Sequence, residues 1–201
     1  MSDIKEDRRV TRTKRDLKEA FFSLLKEKKD VKKISIIEIT NRANYNRSTF
    51  YVHYQAKEEL IDEIVNEAIT GFLRTFEKQF TGVTSFNPKV LSSNAVKIFK
   101  YIEEHSQMFG LLFRSNSFLY FELQFRSALE TIYDDLFLYE EDYFKDINKG
   151  LYIRGHVSLL IGLISYWIEH DFSFSADYMA DQLLKTVNII PSDVKISRGN
   201  K

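Results

Sequence analysis

The side chains best suited to chemistry in this chain lie between residues 47 and 57, and that chemistry is recognition through hydrogen bonds. Arg47, Ser48, Thr49, Tyr51, Val52, His53 and Lys57 are small, polar or cationic. On a helix, Phe50 and Tyr54 are four apart and point inward together, which leaves the others outside. Such an outer face can enter a major groove and meet base edges and phosphates. Catalysis needs a different constellation. His53, His105, His156 and His170 are far apart, with no metal-ligand spacing among them, and neither a Gly-rich phosphate loop nor a nucleophile elbow occurs. The chain has no cysteine, which removes disulfides and thiolate metal sites. Glu140, Glu141 and Asp142 read as acids matched to a helix dipole. The expectation is a binding protein with no catalytic residues, no metal and no cofactor.

The flanking residues must position that face. Ser35 and Glu38 form a Ser-x-x-Glu capping box opening one short helix. Ile36, Ile39 and Ala43 then share a face. Asn44 stands where a turn needs positive φ, and Asn46 can cap the next helix. Lys57, Glu58 and Glu59 open a third helix, with acids suited to its first turn and Lys57 able to reach a phosphate. Two short helices joined by a tight turn are the recipe for a helix-turn-helix.

Residues 11 to 60 resemble the DNA-binding domain of the TetR family of bacterial transcriptional regulators. The matching residues are Thr13-Lys14, Ile36 to Ile39, the run Ala43-Asn44-Tyr45-Asn46-Arg47-Ser48-Thr49-Phe50-Tyr51-Val52-His53-Tyr54, and Lys57-Glu58-Glu59-Leu60. Asn44 stands for the family's Gly, Tyr45 for Val, Asn46 for Ser and Tyr54 for Phe. The resemblance implies phosphate contacts from Tyr51, His53 and Lys57. It puts Arg47, Ser48 and Thr49 nearest base edges or backbone, and Thr13, Ser35 and Val52 complete the expected DNA-binding set.

Charge distribution agrees. The chain is neutral overall, yet residues 1–60 carry 15 Lys and Arg against 10 Asp and Glu, and the remainder is acidic. A basic head on an acidic body confines the electrostatic footprint to one end. The run from Arg8 to Arg15 is the densest positive cluster and is expected to meet phosphates. The residues from Met1 to Arg15 do not form a signal peptide. The longest uncharged apolar run, Val157 to Ile168, is short for a bilayer. The expectation is a cytoplasmic protein with no membrane partner.

Two prolines and seven glycines leave helical periodicity almost unbroken. The expected fold is all-α, with an N-terminal three-helix helix-turn-helix domain (1–56), a larger helical ligand-binding and dimerisation domain (57–191) and a disordered tail (192–201). Expected helices are 13–27, 57–80, one starting at Asn87-Pro88 and ending near 105, 106–112, 118–138, 142–170 and 175–190, with loops at 81–86 and 114–117. Gly155, Ser158, Gly162 and Ser165 form a small-residue stripe that allows close backbone approach. The family resemblance implies a four-helix homodimer interface from the last two long helices, with Trp167, Met179, Leu183 and Val187 beside that stripe. It also implies a small-molecule effector pocket near Phe109, Phe113, Phe118, Phe121, Phe125, Tyr152 and His156, since aromatic walls suit flat apolar ligands. The expected function is a homodimeric repressor of a double-stranded DNA operator. Effector binding would tilt the helix after Lys57 and release the DNA. The alternative is a TetR-like co-regulator acting through a protein partner. A membrane-surface bundle lacks the basic amphipathic helix it would need.

Overall fold

The computed structural model describes residues 2–78, 80–81, 92–114, 118–136 and 144–188. Among these, nine α-helices and one 3-10 turn occur, and no strand. They are α1 (Ser2–Lys28), the 3-10 turn (Val31–Lys33), α2 (Ile36–Arg42), α3 (Arg47–His53), α4 (Lys57–Lys78), α5 (Ser92–Glu104), α6 (Ser106–Arg114), α7 (Phe118–Leu136), α8 (Lys149–Glu169) and α9 (Ala176–Asn188).

The head comprises α1 to α3. Leu17, Phe21, Leu24 and Leu25 of α1 bury against Ile39, Phe50 and the start of α4 at Leu60 and Ile64. In the body, α5 lies along α9, α7 lies along α8, and α4 packs on α5 and α7. Helix α4 serves both regions, because its later residues Phe72 and Phe76 enter the body core. Gly71 sits midway along it. A Cβ there would come within 2.0 Å of the Tyr101 hydroxyl, so the missing side chain is what lets α5 seat its tyrosine on α4.

Most element ends follow local chemistry. The Ser35–Glu38 capping box is present in both directions. Asn44 takes φ 58, the left-handed turn. Asn148 caps α8 by accepting from Leu151 N at 3.0 Å, which starts that helix at Lys149 instead of 142. Helix α1 begins at Ser2, not Thr13, since no Gly or Pro interrupts residues 2–28. Helix α4 ends at Lys78, short of Phe80. Helix α6 runs on to Arg114. Asn46 occupies the N-cap of α3 but makes no side-chain cap; its backbone carbonyl accepts from Thr49 N at 2.9 Å. The expected helix start at Asn87-Pro88, the loop residues 82–86 and 115–117, the acidic run 140–142 and the tail 192–201 fall outside the described residues.

The aromatic residues expected to wall a pocket pack closely on one another in this structure. Phe109, Phe121 and Phe125 are fully buried and packed on one another, with Phe113 beside them. Ring centroids lie 5.3 Å apart for Phe113–Phe121 and 5.5 Å for Phe121–Phe125, and Phe72 stands 4.8 Å from Phe125. These rings fill the space between α4, α6 and α7 instead of lining it. Tyr152 and His156 are half-buried on α8, with ring centroids 4.1 Å apart and planes tilted by 41°. The Phe118 side chain lies outside the described residues.

The expected interface residues divide in two. Gly155, Ser158 and Gly162 are exposed and Ser165 is half-buried. An added Cβ at either glycine meets nothing within 4 Å, so the stripe faces away from the subunit. Trp167 and Met179, by contrast, are buried in the subunit core. Trp167 packs edge-on against Phe99 at 5.7 Å and its Nε1 donates to the Phe174 carbonyl at 2.8 Å. Helix α8 is long and apolar enough to cross a membrane by length and composition. Its apolar side, from Ile153 through Ile168, packs into the core, which accounts for that composition. Leu183 is half-buried against the core, and Val187 is 38% exposed.

Candidate nucleic-acid interface

Helix α3 is two turns long, and its burial pattern is one-sided. Phe50 is buried, and Tyr54 just past the helix end is buried with it, their rings 5.4 Å apart. The opposite side carries Arg47, Ser48, Tyr51 and Val52, all exposed, with Thr49 and His53 half-buried at its edges. Val52 is 77% exposed on a seven-residue helix, an apolar tip outside the core of the described residues. A methyl-bearing tip among hydrogen-bonding neighbours is what a major groove with thymine methyls can accept.

Arg47 and Tyr51 form a unit one turn apart. The guanidinium donates to the Tyr51 hydroxyl at 2.9 Å and lies 5.4 Å from the ring centre. Both groups stay exposed, so the contact orders the side chains without removing them from solvent. His53 is held below its usual imidazole range by burial, then by the positive charges of Lys14 and Arg9, with Glu63 opposing. The basic run from Arg8 to Arg15 belongs to α1.

Two residues expected to touch DNA are turned inward in the free chain. Lys57 donates its ammonium to the carbonyls of Val31 at 2.9 Å and Ile34 at 2.8 Å. It closes the C-terminal end of the 3-10 turn, whose carbonyls no helix continues. Thr13 is buried and donates back to the Arg9 carbonyl at 2.9 Å inside α1. Ser35 is exposed, but its hydroxyl is engaged in the capping box with Glu38.

Ion pairs hold the reading helix from behind. Lys14 and Lys18 on α1 face Glu63 and Glu67 on α4, with contacts of 2.7 Å for Lys14–Glu63 and 2.6 Å for both Lys18 pairs. Burial alone would raise the Glu63 pKa, but hydrogen bonds from Lys14 and Lys18 outweigh it and hold the carboxyl below its usual range. Lys14 also lies 5.2 Å from the Tyr54 ring. The Tyr54 hydroxyl is buried beside Glu63 without a hydrogen bond of good geometry, and burial together with that carboxylate raises its pKa. Sequence reasoning missed this staple. The signal was there: two lysines four apart on one helix and two glutamates four apart on another. On the other flank, Lys28 pairs with Glu38, and Arg42 grips Glu27 at 2.8 Å.

Comparison with known proteins bears on this arrangement. Residues 90–189 match a family model described as the C-terminal region of a transcriptional regulator, TetR_C_8. A TetR transcriptional regulator from Streptococcus agalactiae 2603V has a similar solved structure, with TM-score 0.65 and 26% identity over 92% of this chain and 98% of that one. The chain belongs to the TetR family. Among curated relatives, the TetR-family chain is 28% identical over 187 residues to an uncharacterised HTH-type transcriptional regulator of Bacillus subtilis (strain 168), across 91% of its own length. It is 29% identical over 106 residues, 53% of its length, to an uncharacterised HTH-type regulator of Haemophilus influenzae. The chain spans about half the length of these curated relatives, 46% and 51% respectively.

Proposed function

We propose that this chain is a DNA-binding transcriptional regulator of the TetR type, acting as a homodimeric repressor that a small molecule releases from its operator. The observation that carries the reading is the outward face of α3. It keeps Arg47, Ser48, Tyr51 and Val52 exposed while the inward side is buried. The DNA-facing set is Arg47, Ser48, Thr49, Tyr51, Val52 and His53, with Arg9 alongside. Each subunit lays α3 in the major groove of one half-site. Two half-sites a helical turn apart, roughly 34–36 Å, require two linked heads. The outer side of α8 suits the linkage, since Leu151, Gly155, Ser158, Gly162 and Tyr166 are exposed there and the glycines allow close approach.

A second reading has one observation in its favour. Lys57 and Thr13 are turned inward, as in a co-regulator that binds a protein partner and reads no operator. The exposed Arg47–Tyr51 pair weighs against it. The deciding experiment selects duplexes from a random pool with the purified protein. An enriched inverted repeat is expected. Arg47→Ala with Tyr51→Ala should weaken binding to it and lower the log–log salt slope by about 0.9 for each phosphate left without its protein partner. Selection that enriches no sequence would favour the co-regulator.

A further inference from the structure

Head and body meet at a cleft of about 200 Å³ between the end of α1, helix α6 and the turn joining α8 to α9. Leu25, Leu111 and Phe172 give it an apolar floor, and Lys26, Lys29, Arg114 and Asp171 stand around its rim. Arg114 is already engaged: it donates to Asp171 at 2.7 Å and to the Ile168 carbonyl. Lys26 and Lys29 are both exposed and, among the described residues, neither belongs to an ion pair, although their neighbour Lys28 pairs with Glu38. The cleft therefore holds two uncompensated cations above an apolar surface.

The backbone marks the same place. Four described non-glycine residues have positive φ, and three of them line this cleft: Lys29 at 57°, Asp171 at 52° and Phe172 at 55°. The fourth, Asn44, belongs to the helix-turn-helix turn. Lys29 and Phe172 close two helices: Lys29 N–H donates to the Leu25 carbonyl at 2.9 Å after α1, and Phe172 N–H donates to the Trp167 carbonyl at 3.0 Å after α8, so the cleft lies where two helix ends meet α6.

We propose that this cleft binds a small carboxylate with a flat apolar body, about the size of benzoate, and that it is an effector site coupling body to head. A carboxylate between Lys26 and Lys29 meets the two free ammonium groups, and a ring beneath it covers Leu25, Leu111 and Phe172. The volume lies below the range of about 300–1,000 Å³ that holds drug-sized ligands, which sets the size class. Lys26 and Lys29 belong to the head end of the cleft, whereas Leu111, Arg114 and Phe172 belong to the body. A ligand touching both sides favours one head–body arrangement by its differential affinity for it. The coupling half rests on the regulator reading above; the binding half does not.

The test is calorimetry with benzoate on the full chain, alongside benzamide and inorganic phosphate. Benzoate is expected to bind with Kd of about 1 mM or tighter, and Lys26→Ala with Lys29→Ala to weaken it at least about tenfold. Benzamide and phosphate should each bind at least about tenfold more weakly, one lacking the charge and the other the ring. Both lysines are exposed, so the double variant keeps its fold, which a melting curve checks. No benzoate binding, unchanged affinity in the double variant, or phosphate binding equal to benzoate would each overturn the site. On a selected operator, benzoate should shift DNA affinity at least about threefold in the parent and not in the double variant. Benzoate that binds through the lysines yet leaves DNA affinity unchanged would overturn the effector role. A chain that selects no DNA would defeat the regulator reading and leave the calorimetric result standing.

Discussion

The head and the body of this molecule are held together by different physics. In the head, short helices are fixed by caps and by charged staples between helices: Ser35 with Glu38, Lys57 on two carbonyls, Lys14 and Lys18 on Glu63. In the body, large rings pack on rings, with Phe72, Phe109, Phe121 and Phe125 in one continuous contact and Trp167 on Phe99. Directional contacts set an orientation and cost little to break. Nondirectional burial supplies the stability. The head can then be aimed without the body loosening.

The sharpest way to break this contrast is to hollow out the body. Phe121→Ala should destabilise the protein by about 3–5 kcal/mol, measured by chemical denaturation. A loss under about 1 kcal/mol would mean that the site collapses freely and that the rings are not close-packed. Next in size is association. Gly162→Leu places a side chain where the subunit offers open space, so the fold should survive while an interface on α8 is overpacked by about 1–3 kcal/mol per site, counted in both subunits. Sedimentation should move toward monomer; an unchanged dimer would place the interface elsewhere.

The head variants should be smaller in stability and distinct in kind. Lys57→Met leaves the Val31 and Ile34 carbonyls without their donor and should cost about 1–3 kcal/mol of stability, with the salt slope of DNA binding unchanged. A slope lower by about 0.9 would return Lys57 to the phosphate contacts. For Arg47 and Tyr51, a double-mutant cycle on the free protein should give a coupling of about 0.5–1 kcal/mol, the size of an exposed cation–π contact. The smallest effect concerns Glu38. Its carboxyl is held at about 2, against an ordinary 4.5, first by the hydrogen bond from Lys28 and then by bonds from Ser35. A depressed folded-state pKa stabilises above the ordinary value and loses that contribution as pH falls from 4.5 toward 2. Glu38→Gln should flatten the acid limb of stability in that window, read from urea midpoints.

What can be read from sequence divides along the same line. Local grammar is visible: the capping box at Ser35, the left-handed Asn44 and the inward spacing of Phe50 and Tyr54 each involve residues within a turn of one another. Periodicity also identifies the small stripe on α8. It does not say what stands across from a helix. Trp167 and Met179 share apolar stripes with surface residues, and only the packing of α5 against α9 and of Phe99 against Trp167 shows that they point into the subunit. Phe109, Phe121 and Phe125 would look the same in sequence around a void or in a filled core. Lys57 lies in a DNA-binding pattern, yet its partners are 23 and 26 residues away, beyond any local rule. Thr13 also stands in that pattern, but the helix runs on past it, through a stretch whose dense charge favours neither order nor disorder.

The Tyr101 seat on Gly71 divides α4 unequally. Gly71 stands fourteen residues from the head end at Lys57 and seven from the body end at Lys78. At 1.5 Å per residue the arms are about 21 Å and about 10 Å. A fulcrum there multiplies displacement about twofold toward the head. A tilt of about 5° would move Lys57 by about 2 Å while the far end shifts by about 1 Å, a displacement that a packed body can absorb.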